Sequence, residues 1–104
     1  MRPAQPEAML QDSVLALARL RGWRCAHFRP AWTPKGFRTA MIGDVGYPDL
    51  TLCRGTRLVF AELKSAKGRL SPEQEIWLDA LRETPAEVYV WTPDSWDELA
   101  QVLR

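Results

Sequence analysis

Apolar residues recur every three or four positions through Glu7 to Arg21, EAMLQDSVLALARLR, at Met9, Leu10, Val14, Leu17, Ala18 and Leu20. That spacing predicts an amphipathic helix, and Gly22 supplies its stop. The period then shortens. WRCAHFR, Trp23 to Arg29, is aromatic and bounded by Gly22 and Pro30, as a strand is. Residues 30–46, PAWTPKGFRTAMIGDVG, hold two prolines and three glycines with no sustained period, and they read as a long loop. PDLTLCR and RLVFAELKS follow, separated by a turn at Gly55, and predict a hairpin. In SPEQEIWLDALRE, Ser71 is placed to cap, Pro72 suits the first helical position, and Ile76, Trp77, Ala80 and Leu81 form an apolar stripe. A strand EVYVW and a short helix over Ser95 to Leu103 complete the order αβββαβα.

The 104 residues suffice for one domain, 1–104, with one modest core. With 46% hydrophobic and 26% charged residues the chain has the composition of a globular protein. No apolar run is long enough to span a membrane, and the N-terminus lacks the order of a signal peptide. The expected location is cytoplasmic, and no membrane partner is expected. Cys25 and Cys53 lie far apart with no CxxC pattern and a single histidine, so neither a zinc site nor a disulfide framework is suggested, and buried free thiols are expected. The net charge of +1 conceals an asymmetry. Residues 1–57 hold nine Lys or Arg against four acids, whereas residues 58–104 hold five against nine. A basic half of this kind is compatible with a phosphate-binding face.

The hairpin carries charges where a strand buries apolar side chains. Alternation puts Leu58, Phe60, Glu62 and Lys64 on one face and Val59, Ala61 and Leu63 on the other. If the strands pair as expected, Asp49 points to the side of Glu62, so that two carboxylates and an ammonium group meet in apolar surroundings. Like charges partly removed from water raise a carboxylate pKa or demand a cation. Magnesium resolves the conflict, because it takes one or two carboxylates and fills its other positions with water and substrate phosphate. Lys64 is then placed to orient an attacking water or to balance charge on the phosphate. An exposed or salt-bridged trio with no chemistry is the competing reading.

The pair Pro48-Asp49 followed by Glu62-Leu63-Lys64 resembles the PD-(D/E)XK nuclease signature, and the longer pattern GYPDL, FAELKSAKGRLSPEQ and Trp77 is similar to its VRR-NUC branch, the virus-type replication and repair nucleases. The resemblance implies an α/β fold: a restriction-endonuclease-like αβββαβ core with a mixed central sheet flanked by helices, followed here by a short C-terminal helix. It implies Mg2+ or Mn2+ held by Asp49, Glu62 and the backbone carbonyl of Leu63, with Lys64 as the catalytic lysine. Gln74 matches the family's glutamine at the start of the following helix. Glu7 matches an acidic residue of the first helix, a further candidate ligand, with Gln11 as the alternative one turn on. The implied activity is metal-dependent endonucleolytic hydrolysis of DNA phosphodiester bonds, structure-specific for four-way junctions or other branched DNA, by a homodimer of viral or bacterial type acting within the host cell. The alternative is a non-catalytic nucleic-acid-binding or assembly module on the same fold.

Several of these residues also have plainer roles. Gln74 stands three positions after Ser71, the capping-box spacing. Lys35, Arg38, Lys67 and Arg69 are candidate phosphate contacts and equally suit a solvated surface. Trp77 and Trp91 are expected in the core, Trp32 in the basic loop is placed to stack on a base, pack at a protein interface or anchor that loop, and His27 reads as structural or surface. Ala40, Met41 and Ile42 are candidates for a dimer surface.

Overall fold

The computed structural model describes residues 6–28, 31–38 and 41–104. Helix α1 spans Pro6–Leu20, and strand β1 spans Arg24–His27. Between them Gly22, at φ +81°, closes the helix in a Schellman motif: its amide donates to Arg19 O at 3.1 Å and that of Trp23 to Ala18 O at 2.9 Å. Trp23 is thereby turned inward, where its Nε1–H donates to Leu103 O at 2.9 Å. The side chains of Arg54 and Arg57 lie over its ring, 4.5 and 4.9 Å from the centroid.

Strands β2 (Ala31–Thr33) and β3 (Gly36–Arg38) come next, then β4 (Leu50–Arg54), β5 (Arg57–Leu63), α2 (Pro72–Arg82) and β6 (Glu87–Trp91). A 3-10 turn at Pro93–Ser95 leads into α3 (Trp96–Val102). The expected long loop is therefore interrupted: β2 and β3 pair as an antiparallel ribbon, and Thr33 Oγ1 donates to Gly36 O across the turn. Ribbons of three-residue strands are too short for a two-residue period to stand out in sequence.

The main sheet has the order β1-β4-β5-β6, with β1-β4 and β4-β5 antiparallel and β5-β6 parallel. A parallel pair requires a crossover, and α2 provides it. The apolar faces of α1 and α3 cover one side, where Leu10, Val14, Ala18, Leu99 and Leu103 pack with Leu50, Leu52, Val59, Ala61, Leu63 and Trp91. Helix α2 covers the other side over β5 and β6. The mixed sheet flanked by helices and the short C-terminal helix are as expected.

Burial departs from the expected pattern at several places. In α2 the inward residues are Leu78 with half-buried Gln74, Trp77 and Leu81, whereas Ile76 and Ala80 face outward. Met9 and Leu20 of α1 are likewise exposed. Cys25 is half-buried, but Cys53 is exposed, which corrects the expectation of two buried thiols. Cys53 pairs with Arg24 and Leu58 in the register, and all three are exposed. They lie on the side of the sheet that α2 leaves open near β1.

Candidate active site

The site forms where β4 enters the sheet and β5 leaves it. Leu50 pairs with Ala61, so the same register carries Asp49 to the side of Glu62. The Asp49 carboxylate does more than point there: its Oδ2 accepts the Leu63 amide at 2.8 Å, fixing it at the end of β5. Strand β5 stops at Leu63, one residue short of the expected Lys64. The Lys64 amide nevertheless donates to Trp91 O at 2.9 Å, so its backbone stays anchored to β6 while its half-buried side chain leaves the sheet. Gly68 approaches the stem of that side chain closely; a Cβ there would lie 3.3 Å from Lys64 Cδ.

Glu62 is 1% exposed, the one buried charged side chain among the described residues. Its Oε1 lies 3.4 Å from Gln74 Nε2, and when the acid is ionised its buried Oε2 has no hydrogen-bond donor among them. Burial first, then a hydrogen bond from the protonated acid to Asp49 and the charge of Asp49, push its pKa up to about 9, against the opposing pull of Lys64. Glu7 feels the same neighbourhood. Burial and the Asp49 charge raise its pKa while Lys64 lowers it, so the first turn of α1 comes within electrostatic reach of the carboxylates. Gln11, the alternative, is engaged elsewhere: its Nε2 lies 3.3 Å from His27 Nδ1.

Gln74 completes the capping box and also reaches the buried carboxyl. Its Oε1 accepts the Ser71 amide at 2.9 Å while Ser71 Oγ accepts the Gln74 amide, a complete capping box, and its amide nitrogen is left to face Glu62. The cap thus orients a side chain toward the buried carboxyl. What holds α2 in place was not apparent from sequence. Gly46 has φ +99°, and a Cβ on it would lie 2.6 Å from the backbone carbonyl of Glu73. The chain just before Asp49 therefore rests on the first turn of α2. Tyr47 continues the contact with edge-on aromatic packing against Trp77, Phe60 and Phe28, and Trp77 Nε1–H donates to Asp44 O at 3.0 Å. Trp77 is accordingly a clamp on the loop before β4 as well as a packing residue. The sequence signal for this was the glycine and tyrosine directly ahead of Pro48-Asp49.

Other candidates stand apart. Lys35 is exposed in the turn between β2 and β3, and Lys67 and Arg69 are exposed in the loop after β5. Arg38 closes β3, while its side chain, that of Trp32, and Ala40 lie outside the described residues. An open apolar hollow of about 330 Å³ lined by Met9, Leu10, Ser13, Pro93 and Trp96 is separate from the carboxylates.

The donor set suits a hard divalent cation. Asp49 and Glu62 offer two carboxylates, and the unpartnered Oε2 of Glu62 is the kind of buried acceptor a cation satisfies. Among the described residues no three His, Cys, Asp or Glu side chains gather as a metal-holding group, so Glu7 does not join Asp49 and Glu62 in one. Neither of the two ion pairs among those residues, Arg57–Glu87 and Arg82–Asp79, involves Asp49, Glu62 or Lys64. The trio is thus no closed salt-bridge cluster among the described residues.

Comparison with known proteins agrees with this architecture. None of the curated proteins matches the chain. A solved structure described as a VRR_NUC domain is similar with a TM-score of 0.67, at 21% identity, over 94% of this chain and 97% of that one. The VRR-NUC domain profile matches residues 26–94, which contain Asp49, Glu62, Lys64 and Gln74, and the chain belongs to that nuclease-fold family.

Proposed function

We propose that this protein is a metal-dependent endonuclease that hydrolyses DNA phosphodiester bonds, acting on four-way junctions or other branched structures. The observation that carries the proposal is the buried Glu62 carboxyl with an unpartnered oxygen beside Asp49 and Lys64. A fully buried acid is costly unless something compensates it. A cation between Glu62 and Asp49 supplies that compensation.

Asp49, Glu62 and the Leu63 carbonyl would hold Mg2+ or Mn2+. When bound, the metal lowers the pKa of a coordinated water and neutralises charge on the phosphate. The chain's own groups do the remaining work. Lys64 holds the attacking water in line with phosphorus and stabilises the added negative charge. Gln74 restrains Glu62 so that its free oxygen keeps one orientation. The 3′ oxygen leaves, and the products carry 5′ phosphates. Lys35, Arg38, Lys67 and Arg69 are the candidates for contacts to flanking phosphates. A homodimer would present two such sites about a twofold axis, which suits paired cuts in a junction.

The test is cleavage of a synthetic four-way junction beside linear duplex and flap DNA, in Mg2+, Mn2+ or EDTA. Wild type is compared with folded Asp49→Ala and Lys64→Ala proteins. The expected result is metal-dependent cutting of branched DNA that both substitutions reduce by at least about 100-fold. Binding without cleavage under any metal would replace the enzyme by a DNA-binding module on the same fold.

A further inference from the structure

We infer that Phe28 is a specificity-determining residue that stacks on an unpaired base next to the bond being cut. The inference rests on the DNA-nuclease reading above, which it deepens by naming the feature of the DNA that is recognised.

The argument starts from register. His27 pairs with Leu50 and Leu50 with Ala61 at this end of the sheet; continued one residue further, that register sets Phe28 opposite Asp49 and Asp49 opposite Glu62. Phe28 and Asp49, each one residue outside its strand, therefore continue the row that ends on Glu62 of β5. Adjacent members of such a row have Cβ atoms about 5 Å apart. A phosphate held at the two carboxylates consequently has the base of its own nucleotide within reach of the Phe28 ring.

Phe28 is unusual among aromatic residues near the site because it is 59% exposed. Exposure of this kind in a mobile side chain would mean little, but the ring is seated. It packs edge-on against Tyr47 at 5.7 Å, and the Tyr47 hydroxyl lies 3.0 Å from Thr51 Oγ1. Tyr47 is itself held edge-on by Phe60 and Trp77, at 6.0 and 5.1 Å. One side of Phe28 is thus fixed by edge-on aromatic packing, and much of the ring faces solvent. The neighbouring part of β1 does not cover it, since Arg24 and Ala26 on the same side are also exposed.

A preformed, solvent-facing aromatic is the element that proteins use to hold bases sequence-independently, because every base has a stacking face. In an intact duplex both faces of each base are already occupied. A base at a branch point or an unpaired end offers a free face. Phe28 would therefore discriminate by DNA structure rather than by sequence.

The experiment measures binding of the full chain in EDTA, at fixed salt, to two DNAs of equal length. One carries 2-aminopurine as an unpaired nucleotide at a branch; the other is fully paired. Wild type should bind the branched DNA and change its 2-aminopurine fluorescence as the base stacks. Phe28→Ala should weaken branched-DNA binding by about 10-fold and abolish that fluorescence change, with duplex binding unaltered. Phe28→Leu, which keeps an apolar side chain against Tyr47, should show the same loss, and Phe28→Tyr should restore wild-type behaviour. Equal losses on both DNAs, no loss on either, full retention in Phe28→Leu, or absence of DNA binding by wild type would each overturn the inference. Because the assay contains no metal and no cleavage, it stands apart from the nuclease test. A protein that discriminates through Phe28 but cuts nothing would retain this inference while losing the catalytic one.

Discussion

A carboxylic acid buried beside another carboxylate responds to pH in a defined direction. Glu62 titrates at about 9 in the folded protein against 4.5 ordinarily, so between those values the native state holds a proton that the unfolded chain has released. Metal-free stability from this group is present below about pH 4.5 and is lost as pH rises through about 9. Thermal melts in EDTA should accordingly show Tm falling by about 5 °C or more across that window, with a flatter profile in Glu62→Gln. If the proposed site holds its metal through the Glu62 carboxylate, Mg2+ binding near pH 7 should expel about one proton per chain, read as a dependence of calorimetric heat on buffer ionisation enthalpy. Loss of that dependence is expected in Glu62→Gln. Gln74 offers a separation of structure from chemistry. Gln74→Ala removes both the cap and the Glu62 contact and should lower stability by about 1 kcal/mol. Gln74→Glu keeps a residue able to complete the capping box but places a second carboxylate against Glu62. Stability near wild type with cleavage reduced by about 10-fold or more is the expected outcome for the Glu variant, scored by melts and junction cleavage side by side.

At the level of elements, the glycine ahead of Asp49 decides how β4 meets α2. Gly46→Ala would force a Cβ into the Glu73 backbone in a conformation that alanine adopts poorly. It should cost about 2 kcal/mol or more by chemical denaturation, and it should slow cleavage further than stability alone explains, because Gln74 would move away from Glu62. At the opposite end of the sheet, Arg57 joins β5 to β6 through paired bonds to Glu87, both at 2.7 Å, and reaches Val102 O at 2.8 Å. Tyr89 donates to the same Glu87 carboxylate at 2.7 Å. The hydrogen bond from Arg57 holds the Glu87 pKa low, so its contribution is present above about pH 4.5 and lost as pH falls below. Burial and Glu87 raise Tyr89 to about 12, so its contribution is lost as pH climbs above 10. The Tm gap between wild type and Arg57→Ala should therefore shrink in acid, and Arg57→Lys should not restore the paired geometry. These links show where sequence reading ends. The order of helices and long strands was legible because each repeats its period over enough residues. The β2-β3 ribbon was not, with three residues per strand. Nor was the outward turn of Ile76, which depends on how α2 is rotated by Gln74 and Trp77.

On the scale of the molecule, the site joins residues that sequence distance conceals. Asp49, Glu62 and Lys64 were legible because strand alternation and a known signature coincide on them, and Gln74 because its cap spacing is local. Phe28 and Gly46 were not, since the first gains meaning only from the register of β1 on β4, and the second from a backbone contact with α2. The same distinction governs assembly. One carboxylate pair serves one phosphodiester bond, so under the proposed junction-cutting activity, which takes two symmetric cuts, a dimer with two complete sites would be the working unit. Mixing wild type with an excess of Asp49→Ala under conditions that exchange subunits should convert most wild-type chains into hybrids with one competent site. If each site acts with its own Asp49 and Glu62, those hybrids should nick one strand and leave the opposing strand intact. Nicked, uncleaved junctions should then accumulate, resolved by comparing native with denaturing gels. Paired cutting that falls only in proportion to the wild-type fraction, with no nicked species, would instead show either that subunits do not exchange or that a single chain makes both cuts. Sedimentation of tagged and untagged chains distinguishes those two cases.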